Sequence, residues 1–160
     1  MKAIIVDSEK NLHWQDTETP EVSSNEVLIK VAATAINRAD LMQRAGFYPP
    51  PPGASTIMGL ECAGEVVALG DSVTNFALGD EVCALLAGGG YAEFAAVDKG
   101  SVVKIPEGIS LIEAASLPEV FATAWLNLFI EAKLSPKEKV ILHAGASGVG
   151  TAGIPLCKAF

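Results

Sequence analysis

Basic residues are scarce in this chain: 11 Lys and Arg stand against 19 Asp and Glu, a formal net charge of −8. That balance argues against a nucleic-acid partner and against an anionic membrane surface, both of which are held by positive charge. Histidine occurs twice and cysteine three times, at Cys62, Cys83 and Cys157, and the cysteines share no metal-ligand spacing. An odd number of scattered thiols is read as reduced and buried, in a cytoplasmic protein. No apolar run reaches the roughly 18 residues that a membrane span needs. The opening MKAIIVDSEK lacks a signal peptide's apolar core, because Asp7, Glu9 and Lys10 interrupt it at once. What is present in quantity is hydrophobic residue, 50% of 160. That is the composition of a packed soluble chain, about one domain by length.

Up to about residue 105 the chain reads as short strands punctuated by Gly and Asp. Lys2–Val6, Glu26–Ile36, Glu65–Leu69, Glu81–Leu86, Tyr91–Val97 and Val102–Ile105 carry the pattern. Gly79-Asp80 supplies a turn, and Gly88-Gly89-Gly90 a second breaker. Many short strands with turns between them predict a small barrel or partly open β domain. One helix, Arg38–Ala45, interrupts it, followed by the stiff loop of four prolines from Pro49 to Pro52. From about Ser110 the pattern changes to helices over 111–117 and 120–132. After Ser135-Pro136 come a four-residue strand, Val140–His143, a glycine-rich turn, and another helix. Helix, strand, glycine turn and helix are how a doubly wound α/β domain begins. The boundary falls near residues 106–118.

The turn lies within KVILHAGASGVGTAGI, Lys139 to Ile154. A dinucleotide fingerprint uses small residues to make a tight strand-to-helix turn, to let backbone approach a pyrophosphate, and to pack helix on strand. The helix N-terminus then presents free amides and the positive end of its dipole. The strict G-x-G-x-x-G is absent, and the phase that fits is Ala144, Ser147 and Gly150, with Gly145 and Gly148 added. A ligand-free glycine turn between strand and helix is the competing reading. Pro155 removes a backbone donor inside the following helix, so a kink or a frayed end toward Phe160 is expected.

A longer string, NRADLMQRAGFYPPPPGASTIMGLECAGEV from Asn37 to Val66, is more specific. It is joined in order by LLAGGGYAEF (Leu85–Phe94), IPEG (Ile105–Gly108), LPE (Leu117–Glu119) and HAGASGVGTA (His143–Ala152). Together these motifs, spread over residues 1–160, resemble the zinc-independent quinone oxidoreductases of the medium-chain dehydrogenase/reductase superfamily. Within it the pattern is similar to the tumour-suppressor-inducible quinone oxidoreductase subgroup and its bacterial relatives.

The resemblance implies a two-domain, cytoplasmic enzyme, commonly a homodimer or homotetramer, whose chains are much longer than this one. Residues 1–117 correspond to a GroES-like catalytic domain without its C-terminal return. Residues 118–160 correspond to the start of a Rossmann domain that binds NADPH, with NADH left open. It further implies that Tyr48 contacts the substrate, that Asn37 lines the same pocket, and that Thr123 faces the nicotinamide. Ala144, Ser147, Gly148, Val149, Gly150 and Thr151 correspond to the pyrophosphate turn. Zinc-dependent members carry cysteine before the first helix and Gly-His-Glu further on. Here Asn37 and Gly59-Leu60-Glu61 stand at those places, and leucine ligates no metal. A quinone suits a metal-free pocket, since it accepts hydride readily and its oxygens need only hydrogen-bond donors such as a phenol or an amide.

Each assignment has a plainer counterpart. Asn37 caps the helix beginning at Arg38, Tyr48 packs on its loop, and Thr123 packs in its helix. His143 takes a local hydrogen bond, Glu61 is structural and Cys62 is core. Arg38 and Asp40 form an exposed pair at a helix start, where Asp40 suits the dipole. Two functional alternatives accompany the quinone reading: a zinc-free enoyl reductase of the same superfamily, and a catalytically inactive folded fragment.

Overall fold

The computed structural model describes residues 1–160 and divides them into two compact units, Met1–Ser116 and Leu117–Phe160. In the first unit, β1 (Lys2–Val6) and β2 (Leu12–Asp16) form an antiparallel hairpin. β3 (Glu26–Thr34), β4 (Glu61–Leu69), β5 (Glu81–Leu85), β6 (Phe94–Asp98) and β7 (Val102–Lys104) form an antiparallel sheet in the order β6-β3-β4-β5-β7. Helix α1 (Arg38–Ala45) sits between β3 and β4, and α2 (Leu111–Ala114) follows β7. The first unit is thus mainly β, a curled and partly open barrel.

Period-two alternation builds its core. On one face Val27, Ile29, Cys62, Val66, Val82 and Ala84 pack together. Their strand neighbours Ala63 and Cys83 point the other way and meet Ala114 and Ala115 at α2. Cys62 is fully buried, and burial, reinforced by Cys83 and Glu61, pushes its thiol up to about 12. Two register shifts between β3 and β4, at Leu28/Ile29 and Val31/Ala33, are bulges that bend the sheet.

Strand β2 carries little apolar patterning in LHWQD, every residue of it exposed, and sequence reading passes over it. It exists because β1 provides a ladder. Tyr91–Glu93 lies outside β6 because its amides serve other segments: Tyr91 N–H donates to the Met58 carbonyl at 3.0 Å and Glu93 N–H to that of Lys2 at 3.0 Å. β3 stops at Thr34, two residues short of the expected Ile36 and four before the helix start at Arg38.

The hairpin turn holds an acid–imidazole pair. Asp7 Oδ2 lies 2.7 Å from His13 Nε2, and Asp7 Oδ1 accepts the Glu9 and Asn11 amides, both at 2.8 Å. His13 first, then the Asn11 amide, lowers the Asp7 carboxyl from 3.8 to about 2. Because the folded-state value is depressed, the stability it contributes is complete above the unfolded value and is lost as pH falls through the folded one. The Asp7 carboxyl carbon should therefore titrate in a carbon-detected NMR experiment with a midpoint near 2; a midpoint near 3.8 would show that the pair does not form.

In the second unit α3 (Pro118–Trp125) continues as a π-helical segment, Leu126–Glu131, and α4 spans Gly148–Ala159. Pro118 occupies the first helical position of α3, where a missing amide matters least. Ala124, Leu128 and Ala152 form the small core of the unit. Trp125, Phe129 and Phe160 stack around one another with ring centroids 4.6 to 5.7 Å apart.

One expectation fails here. Val140–His143 is not a strand, because residues 117–160 contain no second strand to complete a ladder. Helix α4 runs through Pro155 to Ala159, and Phe160 N–H donates to the Leu156 carbonyl at 3.1 Å. No helix is long and apolar enough to cross a membrane.

Candidate functional site

The candidate residues fall in both units, and each group is built locally. In the first unit they surround the start of α1. Asn37 is extended (φ −110°, ψ 159°) and opens the helix in a capping box with Asp40. Its N–H donates to Asp40 Oδ2 at 2.7 Å, and its Nδ2 donates to Glu61 Oε1 at 2.7 Å. Glu61 is only 1% exposed. Its backbone carbonyl accepts the Thr34 hydroxyl at 2.7 Å. Asn37 is therefore held on two sides, by the acid that opens its own helix and by an acid on β4.

Asp40 departs from expectation. It is 2% exposed rather than part of a surface pair, while Arg38 is exposed. The first turn of α1 faces inward at Asp40 because that carboxylate closes the capping box. Tyr91 lies beside it. Burial first, then Asp40, pushes the phenol well above its ordinary range, and the hydroxyl donates to the Ala35 carbonyl at 3.3 Å.

Helix α1 ends at Gly46, whose φ of +90° is a left-handed cap that glycine adopts freely. Tyr48 follows on that exit and is 46% exposed, beside an even more exposed Phe47. Asn37, Asp40 and Glu61 are brought together by hydrogen bonds; Tyr48 is not part of that network. Leu60, at the place where zinc-dependent relatives carry histidine, is buried. Glu61 as partner of Asn37 was not assigned from sequence. The only signal for it is its position in the Gly59-Leu60-Glu61 stretch, which does not disclose what the carboxylate touches.

In the second unit the candidates gather before α4. Ser147 is the N-cap: its Oγ accepts the Gly150 N–H at 3.1 Å. Ala144 adopts φ +53°, and its carbonyl accepts the Ser147 N–H at 2.8 Å, which closes the turn. A side chain at Gly150 would bring its Cβ within 2.6 Å of the Ala144 carbonyl oxygen, and one at Gly148 within 2.9 Å of Val120 Cγ1. With the Gly150 amide capped, the helix leaves the Gly148 and Val149 amides as first-turn donors without intrahelical acceptors. The tight turn, the small residues and these donors fit a diphosphate group.

Thr151 Oγ1 donates to the Gly148 carbonyl at 2.9 Å and so belongs to the helix. Thr123 is half-buried on α3, and its carbonyl accepts Asn127 Nδ2 at 2.8 Å. His143 is exposed and makes no hydrogen bond, contrary to the local bond expected of it.

The first unit has the architecture of a GroES-like domain. Residues 23–107 match the alcohol dehydrogenase GroES-like domain, and the chain belongs to that family, within the medium-chain dehydrogenase/reductase superfamily. Among curated relatives, the synaptic vesicle membrane protein VAT-1 homolog of Danio rerio is 39% identical over 139 residues, covering 87% of this chain and 29% of that protein. Among solved structures, the CurK enoyl reductase superposes with a TM-score of 0.90 at 34% identity, covering 99% of this chain and 51% of its own. The quinone oxidoreductase from Coxiella burnetii does so with a TM-score of 0.83 at 32% identity, covering 99% and 52%. The chain thus spans about half the length of these solved structures and a smaller share of the curated relative.

Proposed function

We propose that the protein to which this chain corresponds reduces quinones with a nicotinamide cofactor, NADPH being preferred, and without zinc. The observation that carries this reading is the arrangement at α1: Asn37 stands where zinc-dependent relatives place a cysteine, and it is hydrogen-bonded to Glu61, with Leu60 in the histidine position. Neither an amide already donating to a carboxylate nor a hydrocarbon side chain offers a zinc ligand. Similarity to a quinone oxidoreductase supports the substrate class. In this reading Tyr48 meets the flat substrate, as its exposure allows, and Asn37 offers its remaining amide hydrogen. Thr123 faces the nicotinamide, while the turn from Ala144 to Thr151 holds the diphosphate through the Gly148 and Val149 amides. The bound cofactor supplies the hydride. Residues 118–160 are then the start of a Rossmann domain, and the active species is a homo-oligomer in the cytoplasm.

A second reading has its own support. The CurK enoyl reductase superposes at least as well as the quinone oxidoreductase, so a 2-enal or related enoyl compound is the competing hydride acceptor. Steady-state turnover of 1,2-naphthoquinone and of a 2-enal by the complete enzyme, each with NADPH and with NADH, separates the two. Quinone turnover with NADPH is expected, and turnover of the enal alone would defeat the quinone reading. The isolated 160 residues are expected to bind NADPH very weakly and to reduce no quinone; a micromolar dissociation constant by calorimetry would refute that.

A further inference from the structure

The side-chain amide of Asn37 has two ends with opposite chemistry: its nitrogen donates two hydrogens, and its oxygen only accepts. Glu61 decides which end faces inward. Asn37 Nδ2 lies 2.7 Å from Glu61 Oε1, and a carboxylate accepts without donating. An amide turned over would set two acceptor oxygens against each other, so the nitrogen is held toward Glu61. The anchor is itself rigid. Glu61 opens β4 opposite Leu85 on β5, and its backbone carbonyl accepts the Thr34 hydroxyl at 2.7 Å. The Asn37 backbone is fixed in turn by its N–H on Asp40 Oδ2 at 2.7 Å. Planar geometry at Nδ2 then points the second hydrogen away from Glu61. Glu61 is 1% exposed, whereas Asn37 is only half-buried, so the amide is open to a ligand on the side away from its anchor.

We infer that Glu61 is a positioning residue: by fixing the amide it makes Asn37 a preset donor to the carbonyl oxygen of the hydride acceptor. This role rests on the proposed contact of Asn37 with the substrate. As the acceptor takes the hydride, its oxygen gains negative charge, and a donor that needs no reorientation at that moment stabilises the charge most. The bond strengthens in the transition state, so losing it lowers kcat rather than raising KM. Glutamine at position 61 keeps the size of the side chain but brings an N–H of its own. The Asn37 amide can then sit either way round, and its aim is lost.

The test is a double-mutant cycle in the complete enzyme, run with 1,2-naphthoquinone and with a 2-enal, on whichever is reduced. Asn37→Ala is expected to lower kcat about 100-fold, and Glu61→Gln about tenfold or more with KM nearly unchanged. A residue that acts through Asn37 loses its effect once that side chain is gone. Glu61→Gln should therefore cost nothing further in the Asn37→Ala background, whereas a merely structural role would cost the same in both. In the 160-residue chain, the Asn37 Nδ2 hydrogen that faces Glu61 should resonate downfield of its partner on the same nitrogen, as a charge-assisted bond requires. Glu61→Gln should bring the two signals together. Equal cost of Glu61→Gln in both backgrounds, a loss confined to KM, or coincident Asn37 signals in the unaltered chain would each overturn the positioning role. Reduction of neither acceptor by the unaltered enzyme would instead defeat the functional reading on which it rests. Should Glu61→Gln not fold, the Asn37 signals of the unaltered chain decide by themselves.

Discussion

Alanine at Gly64 should destabilise the first unit by about 3 kcal/mol or more, at or beyond the upper end of overpacking effects. Gly64 lies on β4 opposite Val31, between the two β3–β4 bulges. A Cβ there would overlap the Lys30 carbonyl oxygen and fall 2.8 Å from the Lys30 carbonyl carbon and 2.9 Å from Ile29 Cγ2. The obstruction is backbone of a hydrogen-bonded neighbour, so no rotamer change relieves it. β3 must move away from β4, and Ile29 and Val66 in the main core move with it. Gly79→Ala is the matched control. Its φ of +85° strains an alanine, yet nothing lies within 4 Å of the new Cβ, so about 1–2 kcal/mol is expected from conformation alone. Urea unfolding followed by the far-ultraviolet strand signal measures both. Equal midpoints for Gly64→Ala and the unaltered chain would contradict the β3–β4 register.

Alanine at Gly150 should open the turn before α4 and lower the stability of the second unit by about 1–3 kcal/mol. Its Cβ would meet the Ala144 carbonyl oxygen at 2.6 Å and Gly145 backbone atoms at 2.7 Å. The carbonyl in its way is the one that accepts the Ser147 N–H, so relieving the clash also displaces the N-cap. Gly145→Ala lies in the same turn but would meet only Ile154 Cδ1, at 3.7 Å, and it should be tolerated. Trp125 stacks on Phe129 and Phe160 and so reports on this unit by fluorescence; a Trp14→Phe background removes the second tryptophan's signal. If the proposed function holds, the same substitution in the complete protein should weaken nicotinamide-cofactor binding at least tenfold. An unchanged unfolding midpoint would show that this turn is looser than described.

Some parts of this molecule were legible in its residues and others were not, for reasons that differ by element. Helix α1 was readable to the residue: Asn37 and Asp40 three apart form its opening, and Gly46 its end. Both are local chemistry, decided within one turn. β2 was not picked out, because its one apolar repeat, Leu12 and Trp14, is too short to mark a strand, and it exists only through its partner. Val140–His143 shows the converse. Its apolar run reads as a strand, but without a neighbour in its unit it makes no ladder. Asp40 was misread because a first-turn carboxylate usually faces water. Its burial follows from the fold of β1, β4 and the Tyr91 segment around α1, which sequence spacing does not disclose.

By itself the sequence determined the strands with apolar alternation, the caps of α1 and α4, and the small residues of the Ala144–Gly150 turn, since each is a local preference of backbone and side chain. It likewise excluded a cysteine or histidine ligand at residues 37 and 60, because identity alone settles which atoms a side chain can offer. Only the tertiary structure decided that Glu61 grips Asn37, that Asp40 is buried beside Tyr91, and that Tyr48 stands outside their network. Those outcomes depend on which segments lie side by side across 24 or more residues of chain, and long-range apposition is set by packing rather than by any preference a residue carries alone.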